Sequence, residues 1–531
     1  MHSQPKATEC CLRQQARMAV WLQRVTPWCG ALAIALTGLG ESIEAAPTTL
    51  GYSFRGLQAP QVKPNPLAGE LTQKLSGLRE QLRARSIQAT LASAIEQSLL
   101  HNPELAQSYA QIQQSEWTLI AVRRQWYPTL TGRSIGPAGG LWSYGGGSIR
   151  SRNSTSAGRT DQNTYNNEDR LAAQVNLDWT FFDPSRGPQI NAAKDSLRSQ
   201  ELLFNVSARN LVLQTQLEYF RLQEQQQLIA AYEEILEATN NQVEQVEAAF
   251  NIGNASIADV EQIQTQQFQT LTLLIKTHLG LIDAAARLAA AMALPPGQIA
   301  LPADRLESYG QWDLSLNASI EQALALREEI QASLSQATSA RWRASALFNR
   351  YWPRFSLGAN GSYFDANRRG GSLGTSNPTR LASSSWDGAV GVGFNWSIFD
   401  GGIAAAEAQA NKALARQYGD EAAVQRLQVT QDVEQSYASY DTSRLALLSS
   451  REQATAARQA AIAVRERFNV GYADITSVVQ TLNQAISAAN AYSLSQKEYN
   501  SAVASLYRAT AQWPENTLAL RDQRIEQLKR R

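Results

Sequence analysis

Twice in this chain a strand-like stretch runs directly into a helix too long for any ordinary compact domain. In Leu171 to Asp183, LAAQVNLDWTFFD, the residues Ala173, Val175, Leu177, Trp179 and Phe181 alternate with Gln174, Asn176, Asp178 and Thr180. A period of two is the mark of a strand with one apolar and one polar face. Beyond Pro188, the stretch Gln189 to Ile252 holds neither Gly nor Pro and is rich in Ala, Gln, Glu, Leu and Arg, a helix composition. The event recurs where Val390, Val392, Phe394, Trp396 and Ile398 alternate with Gly391, Gly393, Asn395 and Ser397, and Asp400-Gly401-Gly402 opens a second long helix. The chain is a tandem repeat.

Further landmarks keep the same order in both copies. Arg327-Glu328-Glu329 stands where Asn102-Pro103-Glu104 stood, and Tyr351-Trp352-Pro353 matches Trp126-Tyr127-Pro128. Asn395 to Asp400, NWSIFD, matches Asp178 to Asp183, DWTFFD; Phe468-Asn469-Val470-Gly471 matches Phe250-Asn251-Ile252-Gly253. These landmarks set a first repeat at 86–294, a connector at 295–316 and a second repeat at 317–513. Within the first repeat, a leading helix is expected from Ser86 or Thr90 to Gln125, broken at Asn102-Pro103. A return helix is expected from Ile257 to Leu294, ended by Pro295-Pro296-Gly297. Residues 46–85 read as an extension, mostly linker; 514–531 read as a charged tail, flexible or a frayed helix. The Gly-, Ser- and Asn-rich stretches Gly136 to Asn167 and Asp365 to Ser385 read as long exposed loops.

All three cysteines, Cys10, Cys11 and Cys29, lie in the first 30 residues. There Arg13, Arg17 and Arg24 precede a short apolar run from Gly30 to Leu39 and a small-residue end at Ala45-Ala46. That order predicts a signal peptide over 1–45, too short to span a bilayer, and an exported protein without cysteine; a buried N-terminal helix is the alternative. Cys29 follows Thr26-Pro27-Trp28, which lacks the apolar residue expected three places before a lipidated cysteine. The net charge of the whole chain is +1, and the part beyond residue 45 is balanced. Nothing in that balance points to nucleic acid.

Geometry constrains the assembly further. A helix of about 60 to 65 residues spans on the order of 90 to 100 Å. The return helix covers a little over half of that, so the next repeat's leading helix is expected to stack on its end and complete it. Four strands of about 10 residues, apolar on one face and polar on the other, fit the dyad pattern of outer-membrane barrels. Four strands cannot close a barrel, and an open edge in lipid leaves backbone groups unsatisfied, so several chains must each contribute. Three chains give twelve strands. The fold class expected is an α+β membrane protein, a trimeric 12-stranded β-barrel continuous with a long α-helical tunnel. Trp126, Tyr127, Tyr351 and Trp352 stand where helices become strands, and Trp179, Phe181, Phe182, Trp396 and Phe399 where strands become helices. Together they form a candidate aromatic girdle.

From about Ser86 to Trp513 the chain resembles the TolC-type outer-membrane efflux proteins. The two strand-to-helix junctions, the aromatic-Pro entries and the paired tips FNIGNASIADVEQIQTQ and FNVGYADITSVVQTLNQ carry the resemblance. It implies a homotrimer whose four strands per chain close one barrel and whose helices form a periplasmic tunnel. The tunnel's tips narrow into a gate and dock on a periplasmic adaptor, while an inner-membrane pump or ABC transporter supplies energy. The implied function is a passive exit duct of a tripartite efflux pump or a type I secretion system, in the outer membrane and in contact with its lipid. The candidate tip residues are Phe250, Gly253, Asn254, Asp259, Phe468, Gly471, Ser477 and Gln480. The sequence departs from the family's best-known member, whose second tip carries two aspartates and an arginine. Those positions are Ser477, Gln480 and Ala473 here, and only Asp259 keeps the acidic residue. A different polar ring, drawn from Asn254, Ser477 and Gln480, is the expectation.

Enzyme chemistry lacks its residues. Only His2, His101 and His278 occur, so no zinc cluster or histidine-based triad can be assembled, and no cofactor is expected. Gly145 to Gly147 is followed by Ser148-Ile149-Arg150 rather than the Gly-Lys-Ser/Thr of a phosphate loop. The competing readings are a soluble periplasmic coiled-coil scaffold, which predicts heptads without amphipathic strands, and a stand-alone diffusion porin, which needs more strands and no long helices.

Overall fold

The computed structural model describes residues 66–134, 140–152, 159–372 and 379–530. The signal-peptide reading, with its cysteines, lies outside them. The first described element is helix α1 (Leu67–Ala84), followed by strand β1 (Ser86–Ala89), helix α2 (Leu91–His101) and helix α3 (Pro103–Arg124). The break between α2 and α3 is where the sequence placed it. Asn102 Oδ1 accepts the Glu104 N–H at 2.8 Å, and Pro103 at the first helical position gives up no needed donor. Thr90 opens α2 with a capping box, its N–H donating to Ser93 Oγ at 2.9 Å.

The 46–85 stretch is therefore not mostly linker over its described part. Leu75 and Leu82 of α1 are buried against the later hairpin, and Arg79 pairs with Glu233 at 2.6 Å. The helix forms because its leucines lie on one stripe. β1 then pairs in parallel with β5 (Ile299–Pro302), which gives the expected connector a strand.

Strands β2 (Thr129–Ser134), β3 (Gly140–Arg152), β4 (Arg159–Phe182), β6 (Arg354–Ser372) and β7 (Thr379–Asn395) form one antiparallel sheet. β2 and β3 pair with successive stretches of β4, and β6 pairs with β4 and β7, so the sheet is four strands wide with its first strand in two pieces. The strands are longer than the expected 10 residues: β4 has 24, β6 has 19 and β7 has 17. Much of what read as loop at 136–167 and 365–385 is ladder, since Gly140 to Arg152 pairs with Arg159 to Leu171 and Asp365 to Gly370 with Thr379 to Ser384. Weak β-propensity there is overridden by the neighbour across the ladder. In the second copy the strand stops at Asn395, so Trp396 and Ile398 lie beyond it.

The long helices are α4 (Arg186–Asn251) of 66 residues and α8 (Ile403–Asn469) of 67, each about 100 Å at 1.5 Å per residue. Their return helices are α5 (Ile257–Ala291) and α9 (Ile475–Ala509); between the repeats lie α6 (Leu316–Leu326) and α7 (Glu328–Phe348). Toward the tips the helices run side by side as α5, α4, α9, α8, and toward the sheet as α3, α4, α7, α8. This corrects the expected stacking. The piece that continues α5 is α3 of the same repeat, while α7 continues α9. The reason is visible at the joints: the Ala291 carbonyl ending α5 accepts from Ser98 Oγ at 2.8 Å and Asn102 Nδ2 at 2.9 Å. The Ala509 carbonyl ending α9 accepts from Arg327 at 3.4 Å. Each return helix leaves through a residue with positive φ, Ala293 at 53° and Ala511 at 58°.

The tail is also better ordered than expected. Helix α10 (Thr517–Lys529) sets Leu528 into a buried cluster with Leu99, Leu105 and Phe204, and the Trp513 ring lies under the guanidinium groups of Arg209 and Arg521. Apolar packing and cation–π contact hold a segment whose charge alone suggested fraying.

Candidate functional site

The sheet register sorts its side chains onto two faces. Residues paired across a ladder point the same way, so each row can be read in order from β4 through β6 to β7. One face holds Trp179, Leu357 and Val392, then Leu177, Ala359 and Val390, then Val175, Gly361 and Gly388, then Ala173, Tyr363 and Trp386. The other holds Asp178, Gly358 and Gly391, then Asn176, Asn360 and Ala389, then Gln174, Ser362 and Asp387. The apolar rows from Phe355 to Tyr363 span about 27 Å at the antiparallel rise of ~3.4 Å per residue. This face carries no covering layer: Trp386 is 84% exposed and Val390 76%. Such a patch on an isolated chain marks contact with lipid or protein. Among the described residues no helix is long and apolar enough to cross a membrane.

The expected girdle residues gather at one end of this sheet, because Thr129 pairs with Asp178 and Arg354 with Asn395. Both repeats lock that end in the same way. Trp179 Nε1 donates to the Trp126 carbonyl at 2.9 Å, and Trp396 Nε1 donates to the Tyr351 carbonyl at 2.8 Å. The indole ties strand exit to strand entry while its ring stays exposed. Phe355 then meets Phe181 at 6.4 Å, Phe182 at 5.9 Å and Phe394 at 6.2 Å between ring centroids. Tyr127, Trp352 and Phe399 are exposed at the same end. Asp400 closes the second junction, accepting from Tyr351 Oη, the Gly402 N–H and the Ala404 N–H at 2.8, 2.9 and 2.8 Å.

At the opposite end the tips reverse by one mechanism used twice. Gly253 (φ 83°) and Gly471 (φ 80°) take a left-handed conformation that L side chains rarely adopt. The Gly253 N–H donates to Phe250 O at 2.9 Å and the Asn254 N–H to Ala249 O at 2.8 Å. Gly471 to Phe468 O and Tyr472 to Arg467 O repeat these at 2.9 and 2.8 Å. Both are Schellman motifs.

The next helix starts with swapped chemistry. Ser256 caps α5, and Asp259 three residues on accepts from the Ser256 N–H at 2.7 Å and its Oγ at 2.8 Å. In the second tip the acid is the cap and the serine follows: Asp474 Oδ1 accepts the Ser477 N–H at 2.9 Å. Hydrogen bonds from the Ser477 side chain and backbone hold the Asp474 carboxyl below its ordinary value. Asp259 and Ser477 are thus both engaged in caps, whereas Asn254 and Gln480 are exposed. Phe250 and Phe468 pack against one cluster shared by both hairpins, with Val243, Val246, Val260, Ile263, Ile475, Val478 and Leu482. Thr476 Oγ1 also reaches Gln262 Oε1 at 3.4 Å. Sequence reading missed Ser256 and Asp474, although S-x-x-D and D-x-x-S at matched positions are legible as cap signals.

A sheet with one uncovered apolar face and two open edges, continuous with hairpins about 100 Å long that end in closed tips, defines a membrane channel protein built partly outside the membrane. The family model of the outer membrane efflux protein matches residues 94–294 and 319–512, and the chain belongs to that family. It is 23% identical over 445 residues to the outer membrane efflux protein BepC of Brucella suis, covering 82% of this chain and 88% of that one. In fold it is similar to the CmeC outer membrane channel of Campylobacter jejuni, with a TM-score of 0.62 at 14% identity over 82% of this chain and 89% of that one. It is also similar to the open MtrE outer membrane channel of Neisseria gonorrhoeae, with a TM-score of 0.57 at 16% identity over 80% and 89%. The chain is an outer-membrane efflux channel protein with a large periplasmic helical part, of a family and fold that are not those of enzymes.

Proposed function

We propose that three copies of this chain close a twelve-stranded barrel and a continuous helical tunnel. In this reading the assembly is the passive exit duct of a tripartite efflux pump or type I secretion system. The observation that carries the reading is the two-faced sheet with free edges at β2/β3 and β7. In hydrocarbon every backbone donor and acceptor needs a partner, so such a sheet is stable only when identical copies pair edge to edge. A soluble scaffold offers no reason for an apolar face of this extent. The girdle of Trp126, Tyr127, Trp179, Phe181, Tyr351, Trp352, Trp396 and Phe399 then sits at the periplasmic interface, where amphipathic rings are favoured.

At the far end, the tips constrict the duct and receive a periplasmic adaptor that joins it to an inner-membrane pump or ABC transporter. Gly253 and Gly471 shape the docking loops, Phe250 and Phe468 hold the hairpins together, and Asn254 and Gln480 supply polar groups toward the constriction. Asp259 and Ser477 act through the caps rather than as free ring members. Single-channel recording in a planar bilayer tests this. A small conductance that opens as one unit, and rises when Gln480 or Asn254 becomes Ala, is expected; absence of channel activity overturns the reading.

A further inference from the structure

Between the two hairpins, α4 faces α8 and α9 across a groove of about 220 Å³. It exists because alanines stand where longer side chains would fill the space, among them Ala238 on α4, Ala461 on α8 and Ala485 on α9. Gln242 lines the groove, is only 1% exposed, and has neither its amide nitrogen nor its amide oxygen hydrogen-bonded. A buried amide without partners is costly, and a site that holds one is suited to a ligand with a hydrogen-bonding group. The rim is cationic. Arg458 is matched by Glu234 at 2.5 Å, whereas the acidic partner of Arg465 among the described residues is its exposed chain neighbour Glu466, at a looser 3.8 Å.

We propose that this groove binds a small monoanionic amphiphile. Its aromatic or aliphatic body lies against the alanines, its hydrogen-bonding group meets Gln242, and its anionic group meets Arg465 beside Arg458. Charge complementarity selects this occupant: the groove supplies two guanidinium groups and one carboxylate, so a neutral or cationic body of the same shape gains less. The bound molecule would touch both hairpins next to the bond from Tyr232 to Asn490 at 2.5 Å, and so would fix their relative position. The site depends on one chain only and stands apart from the trimer and pump reading.

The test uses the whole protein in nanodiscs of zwitterionic lipid, titrated with anilinonaphthalene sulfonate and, separately, with phenylnaphthylamine, which has the rings without the sulfonate. Saturable sulfonate binding at one site per chain is expected. Arg465→Gln should weaken it about tenfold, the size of one charge-assisted hydrogen bond, while moving the neutral probe less than about twofold. Gln242→Leu should weaken both probes, and Ala461→Trp should remove saturable binding at an unchanged thermal midpoint. If Ala461→Trp does not fold, the Arg465 and Gln242 variants still decide. Equal affinity for the two probes, or sulfonate binding untouched by all three substitutions, overturns the proposal. So does an Ala461→Trp protein that loses capture of an adaptor helix but keeps the sulfonate, since the groove would then belong to a protein partner.

Discussion

The two repeats end their return helices against the same place on their own leading helices, yet one terminal carbonyl is met by neutral side chains and the other by a guanidinium. In the first, Ser98 and Asn102 hydrogen-bond the Ala291 carbonyl. In the second, Arg327 reaches the Ala509 carbonyl and is held by Asp432 and Glu329, both at 3.2 Å, while Arg508 meets Glu329 at 2.7 Å and Arg209 pairs with Glu328. Burial pulls the Arg209 guanidinium down to about 10, with Arg508 adding to the shift, and lowers Arg327 in the same way. The lesson is that duplication keeps the backbone contact and lets the chemistry drift. The charged joint is therefore the brittle one, because removing one partner strands the others in a dry site.

Substitutions that break this contrast should rank accordingly. Arg327→Ala leaves Glu329 with Arg508 alone, strips the Ala509 carbonyl of its donor and should cost about 3 kcal/mol, read as a lower denaturation midpoint. Asn102→Ala removes one donor to Ala291 and the cap of α3 and should cost about 1–3 kcal/mol. A larger loss from Asn102 than from Arg327 would reverse the comparison.

The tips show the same drift at smaller scale. Ser256→Ala should cost about 1 kcal/mol locally, seen as faster amide exchange over the first turn of α5 with α9 unchanged. Asp474 gives a pH signature. Its carboxyl is held below the ordinary value, so its contribution is complete above that value and is lost as pH falls through the lowered one. Acid should thus lower the protection of the first amides of α9 relative to their intrinsic exchange rates, and Asp474→Asn should remove that pH dependence of protection.

The smallest expected effect concerns α1. His278 lies buried beneath it, its pKa lowered by burial and then by Arg79, with Glu233 opposing. A histidine kept neutral in the fold contributes fully above its ordinary value near 6.5, and the contribution is lost as pH falls below it. Protection of the α1 amides relative to their intrinsic exchange rates should therefore fall on acidification, and His278→Gln should flatten that response.

Much of this was legible in the residues. The Gly- and Pro-free tracts marked α4 and α8, the alternation at Ala173 to Phe181 marked the apolar face, and FNIG and FNVG marked the reversals. The extensions of β4 and β6 were not, because Gly, Ser and Asn give no period and the ladder is specified by the partner strand. The pairing of α5 with α3 rather than α7 was also hidden. It depends on the chain crossing to the other side of α4 through the connector, which no local pattern encodes. The caps were written plainly as S-x-x-D and D-x-x-S, but Asp259 and Ser477 drew attention as pore residues instead of as neighbours of Ser256 and Asp474.

Closure of the open sheet by identical copies is tested most directly by the native mass of protein extracted from outer membranes. Three times the single-chain mass, retained after lipid is stripped, is the predicted result. A monomer or dimer soluble without detergent would contradict it and would mean that the apolar face of β4, β6 and β7 meets something other than lipid.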